Sequence, residues 1–337
     1  MPSSTKPAVL MLGEVVHAHA EFAALSDVAN VRSVTSGTRD QFIKDLDAGL
    51  YNDIVAISRT YDSVAFTGRF DEELVAHLPP SVQFLSHNGA GYDQIDVHAC
   101  TKRGIRVSNT PGAVNDATAN VALFLILGAL RRAWIPQTAL RDGKWRGDTP
   151  LGRDPNGLRL GILGMGGIGA ATARRAAAFG FVVQYHSRKP VSGPDGELGQ
   201  YVSFEELLKT SDVISVHVPL SPATTHLLND AAFAQMKDGV IIVNTARGPI
   251  IDEAALVRNL ESGKVWSVGL DVFEQEPKIH PGLLSSPRAV LLPHIGTATT
   301  DTQKRMEVLV IDNVKSAIAG KGLLTQVPEQ VPPKASL

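Results

Sequence analysis

Three polar side chains fall just beyond short apolar runs in the second half of the chain, and together they suit proton transfer and anion binding. Arg247 stands in NTARGP after residues 240–243, Glu276 in DVFEQEP after 265–270, and His294 in LLPHIGT after 290–292. Ligands of an open α/β sheet collect beyond the carboxyl ends of its strands, so three such residues can face one crevice. Reduction of a ketone needs a proton for the developing alkoxide, and an imidazolium at His294 can supply it near neutral pH. A carboxylate at Glu276 would favour the charged ring and orient it. The Arg247 guanidinium can clamp a carboxylate at two points or polarise a carbonyl. Singly, each residue has a plainer explanation: a satisfied half-buried histidine, a loop charge and a surface ion pair. Their common placement gives them one reaction to share.

A hydride source for such a reduction is suggested upstream. Residues 158–169 read LRLGILGMGGIG, an apolar run entering Gly164-x-Gly166-x-x-Gly169, followed by an alanine-rich stretch that ends near Gly180. In a strand–turn–helix setting the first glycine permits the tight turn, the second admits a pyrophosphate to the backbone, and the third lets helix pack on strand. Amides at the helix start, Gly167 and Ile168 among them, then receive the anion. Glycine spacing alone is a weak signal, but strand, glycines, helix and second strand fall here in the required order. That second strand ends in His186, Ser187, Arg188 and Lys189. His186 lies close to the position, about twenty residues past the glycines, where an acid normally holds the ribose 2′-hydroxyl of NAD. No acid is there, and Ser187 and Arg188 can donate to a 2′-phosphate, which favours NADP(H) over NAD(H). The alternative for Arg188 and Lys189 is a solvated surface pair.

The elements that must position these groups follow an α/β rhythm. Residues 9–12, 31–35, 53–57, 82–85 and 105–107 are predicted strands separated by helical stretches. A second series follows at 160–163, 182–185, 213–216, 240–243, 265–270 and 290–292. Alternation of this kind predicts two parallel-sheet domains with crossover helices, and 337 residues exceed what one core usually serves. An apolar helix over 115–132 and a Gly-, Pro- and Asp-containing stretch over 146–156 are candidate crossing points between them. Residues 327–337, with three prolines, are expected to be loose. A net charge of −2 without a basic block argues against nucleic acid as a partner. The longest apolar run, 121–130, is half a membrane span, so no membrane insertion is expected. One cysteine, Cys100, and no secretory pattern at the start lead to the expectation of a cytoplasmic protein.

From about Ser86 onward the chain resembles the D-isomer-specific 2-hydroxyacid dehydrogenase family. The likeness rests on NGAGYDQID at residues 88–96, GMGGIG, NTARGPIIDE, DVFEQEP and PHIGT. It implies a Rossmann dinucleotide-binding domain over 109–301 and a discontinuous flavodoxin-like substrate domain, 1–108 plus 302–337. By motif it makes Arg247, Glu276 and His294 the catalytic set and gives the amides of Ala90 and Gly91, with Arg247, the substrate carboxylate. It places Val218, Pro219 and Thr224 near the nucleotide, and Thr245, Ala246, Arg247 and Asp271 near the nicotinamide. The SRK segment is similar to NADP-dependent glyoxylate and hydroxypyruvate reductases, which implies NADPH-dependent reduction of a small 2-oxoacid. The family resemblance also implies a homodimer paired through the 115–132 helix, although core burial within one chain explains that helix's apolar character equally well. Two features depart from that pattern: Asn120 stands where an acid is common, and the 146–156 stretch is similar to a fungal D-mandelate dehydrogenase branch. They keep open a reductase of bulkier aromatic 2-oxoacids. A dinucleotide-sensing protein like the transcriptional corepressors of this fold is the alternative from another class.

Overall fold

The structure, a computed structural model, describes residues 6–331. The chain divides into two compact units, Met1–Val114 with Thr299–Leu337, and Asn115–Ala298.

The first unit is a five-stranded parallel sheet of β1 (Ala8–Leu12), β2 (Asn30–Val34), β3 (Ile54–Thr60), β4 (Phe84–Asn88) and β5 (Arg106–Ser108), ordered β2-β1-β3-β4-β5. This is the flavodoxin-like order. Every residue of β1 is buried, as befits a central strand covered by helices on both faces. The returning helix Thr300–Ile318 belongs to this unit and packs on β3 and β4. Its Glu307 carboxylate, itself buried, accepts from the backbone N–H groups of Val16, His17 and Ala18 at 2.7 to 2.9 Å. That bond set ties the loop after β1 to a helix almost 300 residues away in sequence.

The second unit holds β6 (Arg159–Leu163), β7 (Val182–His186), β8 (Gln200–Tyr201), β9 (Val213–Val216), β10 (Val240–Asn244), β11 (Val265–Leu270) and β12 (Ala289–Leu291). All pairings are parallel, in the order β12-β11-β10-β9-β6-β7-β8. From β6 the chain winds outward through β7 and β8, then returns to place β9 on the other side of β6. That reversal is the doubly wound Rossmann arrangement, and its ligand crevice lies past the carboxyl ends of β6 and β9. The glycine loop follows β6 directly.

The apolar helix Asn115–Arg131 is part of this second core: Ala119, Ala122, Leu125, Ile126 and Ala129 are fully enclosed. Gly269 of β11 lets it approach, since a Cβ there would meet the Leu125 main chain at 2.9 Å. Burial within its own unit thus accounts for most of the helix's apolar character. Among the described residues no single helix is long and apolar enough to cross a membrane.

Two sequence expectations change. Strand β8 was not anticipated, because two exposed residues, Gln and Tyr, carry no periodicity. The segment expected to be loose is anchored over its described part: Val327 is fully buried and donates its N–H to the Val107 carbonyl, and Gln330 bonds both Val107 N–H and the Ile105 carbonyl. Residues 332–337 lie outside the described range.

Candidate active site

The nucleotide half of the site is built from close backbone approaches. Gly164 sits at φ +103°, and a Cβ there would stand 2.7 Å from the His217 carbonyl carbon and the Val218 nitrogen. The turn after β6 is therefore pressed against the loop after β9, which carries Val218 and Pro219. A Cβ on Gly169 would stand 2.1 Å from the Gly164 carbonyl oxygen, so only glycine lets the helix Gly167–Ala177 fold back on its turn. Gly166 differs: nothing lies within 4 Å of its would-be Cβ, and as N-cap it offers no side chain to the first-turn amides. Gly167 and Ile168 open that turn. An uncapped helix start behind an open glycine fits a pyrophosphate.

Around this cradle, Thr224 bonds within its own loop, donating to the Pro219 carbonyl at 2.6 Å and accepting from Ser221 N–H at 2.8 Å. His217 bonds the Ser215 hydroxyl at 2.8 Å, and desolvation pushes its imidazole down to about 4, so it stays neutral. At the end of β7, Arg188 and Lys189 are exposed. Ser187 turns its hydroxyl to the Lys189 carbonyl at 2.7 Å, which shapes the loop and leaves its oxygen as an acceptor.

Arg247, Glu276 and His294 all lie in the second unit, on the loops after β10, β11 and β12. His294 Nδ1 stands 2.8 Å from Glu276 Oε2, with both side chains about 30% exposed. Glu276 Oε1 accepts from Phe273 N–H at 2.9 Å. Burial would raise the Glu276 carboxyl, but the bonds from His294 and Phe273, with the charges of His294 and Arg247, outweigh it and hold the group below its ordinary value. The carboxylate is thus ionised and aligned on the ring. His294 itself occupies the left-handed region at φ +56°, a conformation that surrounding bonds must hold for a non-glycine residue.

Asp271 supplies those bonds. Its carbonyl accepts from His294 N–H at 2.8 Å, and its carboxylate oxygens accept from Ile295 N–H at 2.7 Å and Gly296 N–H at 2.8 Å. Burial raises its carboxyl above the usual range despite these donors. Asp271 therefore positions the histidine loop, a role its sequence motif did not reveal.

The arginine loop is clipped in the same manner. Asn244, the last residue of β10, accepts from Ala246 N–H and donates to the Arg247 carbonyl, each at 2.9 Å. Arg247 Nη1 donates to the Ala246 carbonyl at 2.7 Å. Gly248 brings this loop onto the glutamate loop, because a Cβ there would lie 1.9 Å from the Phe273 carbonyl carbon. A further clasp joins the two. Glu253 N–H donates to the Glu274 carboxylate at 3.1 Å, Glu274 N–H donates to the Glu253 carboxylate at 2.6 Å, and His226 bonds Glu274 at 2.7 Å. Asn244, Gly248, Glu253 and Glu274 were not singled out from sequence. Thr245 has a buried hydroxyl with no hydrogen-bond partner among the described residues, beside Ala246 and Arg247. An orphaned buried hydroxyl there fits a polar ligand such as the nicotinamide carboxamide.

Ala90 and Gly91 belong to the first unit, in the loop after β4. All the local carbonyls are engaged: Gly89 by Thr110 N–H at 3.0 Å, Ala90 by the Asn109 amide at 2.7 Å, and Gly91 by the His87 ring at 3.0 Å. No acceptor among the described residues takes the N–H of Ala90 or Gly91. Two successive amides left in this way can receive an anion.

Residues 123–296 match the D-isomer specific 2-hydroxyacid dehydrogenase, NAD binding domain, and the chain belongs to that family of enzymes. It is 52% identical, over 96% of its length and 98% of the relative's, to 4-methyl-2-oxopentanoate reductase A of Aspergillus oryzae. A glyoxylate reductase from Paecilomyes thermophila superposes with a TM-score of 0.96 at 55% identity, covering 98% of this chain and 100% of that one. An NADPH-dependent glyoxylate/hydroxypyruvate reductase from Sinorhizobium meliloti, solved with NADP and malonate, is 31% identical with a TM-score of 0.82, covering 96% and 98%.

Proposed function

We propose that the chain is an NADPH-preferring reductase of small 2-oxoacids, glyoxylate and hydroxypyruvate foremost, producing the D-2-hydroxyacid, with NADH a weaker cofactor. The observation that carries the reduction is the His294–Glu276 pair at 2.8 Å on adjacent strand ends of a dinucleotide-binding sheet. When bound, the reduced nicotinamide supplies the hydride. Glu276 engages Nδ1, so Nε2 of His294 is the atom that delivers the proton to the carbonyl oxygen as it becomes an alkoxide. Arg247 stabilises that oxygen or the substrate carboxylate with planar donors. The Ala90 and Gly91 amides are assigned to a carboxylate.

The preference for NADPH rests on the end of β7. His186 occupies the place of the usual ribose-binding acid, and the exposed Arg188 can reach a 2′-phosphate. Arg188→Ala is expected to weaken NADPH roughly tenfold or more, at the low end for a charge-assisted bond because the residue is exposed, and to leave NADH nearly unchanged. Equal losses for both cofactors, read by fluorescence titration at fixed ionic strength, would remove Arg188 from phosphate recognition.

A second substrate reading has its own support in the 52% identity to a reductase of the branched 4-methyl-2-oxopentanoate. Steady-state rates for glyoxylate, hydroxypyruvate, 4-methyl-2-oxopentanoate and phenylglyoxylate, each with NADPH and NADH, separate the readings. Highest kcat/KM on glyoxylate or hydroxypyruvate supports the favoured one. A maximum on either bulky acid replaces it, and no turnover on any of the four rejects the reductase.

We place the enzyme in the cytosol as a homodimer. Cys100 is buried and its thiol is pushed up to about 12 by burial, so the one cysteine of the chain is inert toward disulfide exchange. Exposed Phe124, Trp134, Leu140, Trp145 and Leu151 fall in one stretch of sequence and supply the apolar surface that a second copy would cover.

A further inference from the structure

His186 does more at the end of β7 than leave an acid out. Its Nδ1 lies 3.0 Å from the Val202 carbonyl oxygen. A carbonyl only accepts, so Nδ1 carries a proton in both charge states of the ring. The ring is held against reorientation: Tyr201 stacks on it at 6.0 Å and 26°, and Phe204 packs at 5.8 Å. Nε2, on the far edge from Val202, has no hydrogen-bond partner among the described residues and is the one nitrogen left to gain or lose a proton. We propose that the charge on Nε2 of His186 sets which dinucleotide the chain prefers, NADPH when the ring is protonated and NADH relatively more when it is neutral. This rests on the reading of the crevice past β6 and β9, with the neighbouring end of β7, as a dinucleotide site.

The chemistry follows from donor and acceptor roles. A protonated Nε2 donates a charge-assisted hydrogen bond to a 2′-phosphate oxygen. A neutral Nε2 turns a lone pair toward the same oxygen and repels it, yet accepts well from a ribose 2′-hydroxyl. An aspartate in this place could serve only the hydroxyl, whereas histidine can serve either cofactor. Charged and titratable groups flank the ring. Glu205, on the helix Phe204–Thr210, is the carboxylate that interacts with it electrostatically, and its carboxyl is held below the ordinary value, chiefly by a backbone hydrogen bond. Tyr201, the phenol stacked on the ring, lies on β8. Arg188 and Lys189 are exposed just after the strand.

The test is binding rather than turnover, so that the proton transfer proposed for His294 does not enter. Dissociation constants of NADPH and NADH are measured by cofactor fluorescence from about pH 5.5 to about 8.5, the span in which histidines exchange a proton. Wild type is compared with His186→Gln, which keeps a neutral donor and acceptor at that position. The 2′-phosphate itself titrates near about 6, but identically in both proteins. The inference expects the NADPH preference of wild type to fall, relative to the Gln variant, by about tenfold or more as pH rises, the worth of one charge-assisted bond. Preferences that run parallel in the two proteins, with NADPH favoured, would overturn the role of His186 and leave the NADPH reading standing. If NADPH is favoured by neither protein at any pH, the NADPH reading fails and this inference with it.

Discussion

His294→Ala is expected to lower 2-oxoacid reduction by about two to four orders of magnitude while NADPH binding stays near normal. The range is that for losing a positioned acid, and the position is unusually well defined here. The residue sits at φ +56°, its N–H is held by the Asp271 carbonyl, its ring by Glu276, and the next two amides by the Asp271 carboxylate. Alanine is strained in that conformation, so a loss could in principle come from the loop rather than the proton. His294→Asn addresses this, because asparagine tolerates the left-handed region and cannot act as an acid. Both variants should lose activity to a similar degree. Full activity in the Asn variant with loss only in Ala would make His294 a loop residue and move the acid elsewhere.

The second large effect is expected at Arg247→Lys. Lysine keeps the charge but not the planar fork, so a ligand that bonds guanidinium at two points loses one bond and the fixed angle. The loss of one charge-assisted bond, about 1.5–3 kcal/mol, is roughly a tenfold to over a hundredfold fall in kcat/KM, with KM rising strongly. The surrounding structure argues for a geometric role: Asn244 clips the loop on both sides of Ala246, and Gly248 seats it on the Phe273 backbone. A fall of fivefold or less, the range of an exposed ion pair worth about 0–1 kcal/mol, would contradict it.

Much of this architecture is legible in the residues. Eleven strands are visible because each holds a short apolar or β-branched run, clearest in β9 and β10, which are buried at every position, and weakest in the exposed edge strand β2. The pairing of Glu276 with His294 was also legible, since both follow strands that end at one sheet edge. What sequence did not reveal is the set of residues that hold the proposed catalytic ones still. Asp271 acts through amides more than twenty positions away, and Glu253 and Glu274 bond each other's backbone across twenty-one. Asn244 and Gly248 look like ordinary loop residues until the neighbouring loop is folded onto them. Ser187 was read as a phosphate donor from its type, but its hydroxyl proton goes to the Lys189 carbonyl, a local turn bond that side-chain chemistry alone cannot forecast. The anchoring of residues 327–331 likewise depends on β5, more than 200 positions upstream.

The proposed reduction needs one proton from His294, beside the charge of Glu276, and the pH dependence of kcat/KM for reduction in wild type and Glu276→Gln examines it most directly. Glu276 keeps its carboxyl below the ordinary value and so remains negative throughout the neutral range, favouring the charged imidazole. Reduction by wild type should therefore fall as pH rises and the ring loses its proton. With a neutral amide in place of the carboxylate, the fall should move to lower pH, while the dissociation constant for NADPH measured at one pH stays unchanged. Superimposable profiles for the two proteins would contradict the pairing, whatever the distance between the two side chains.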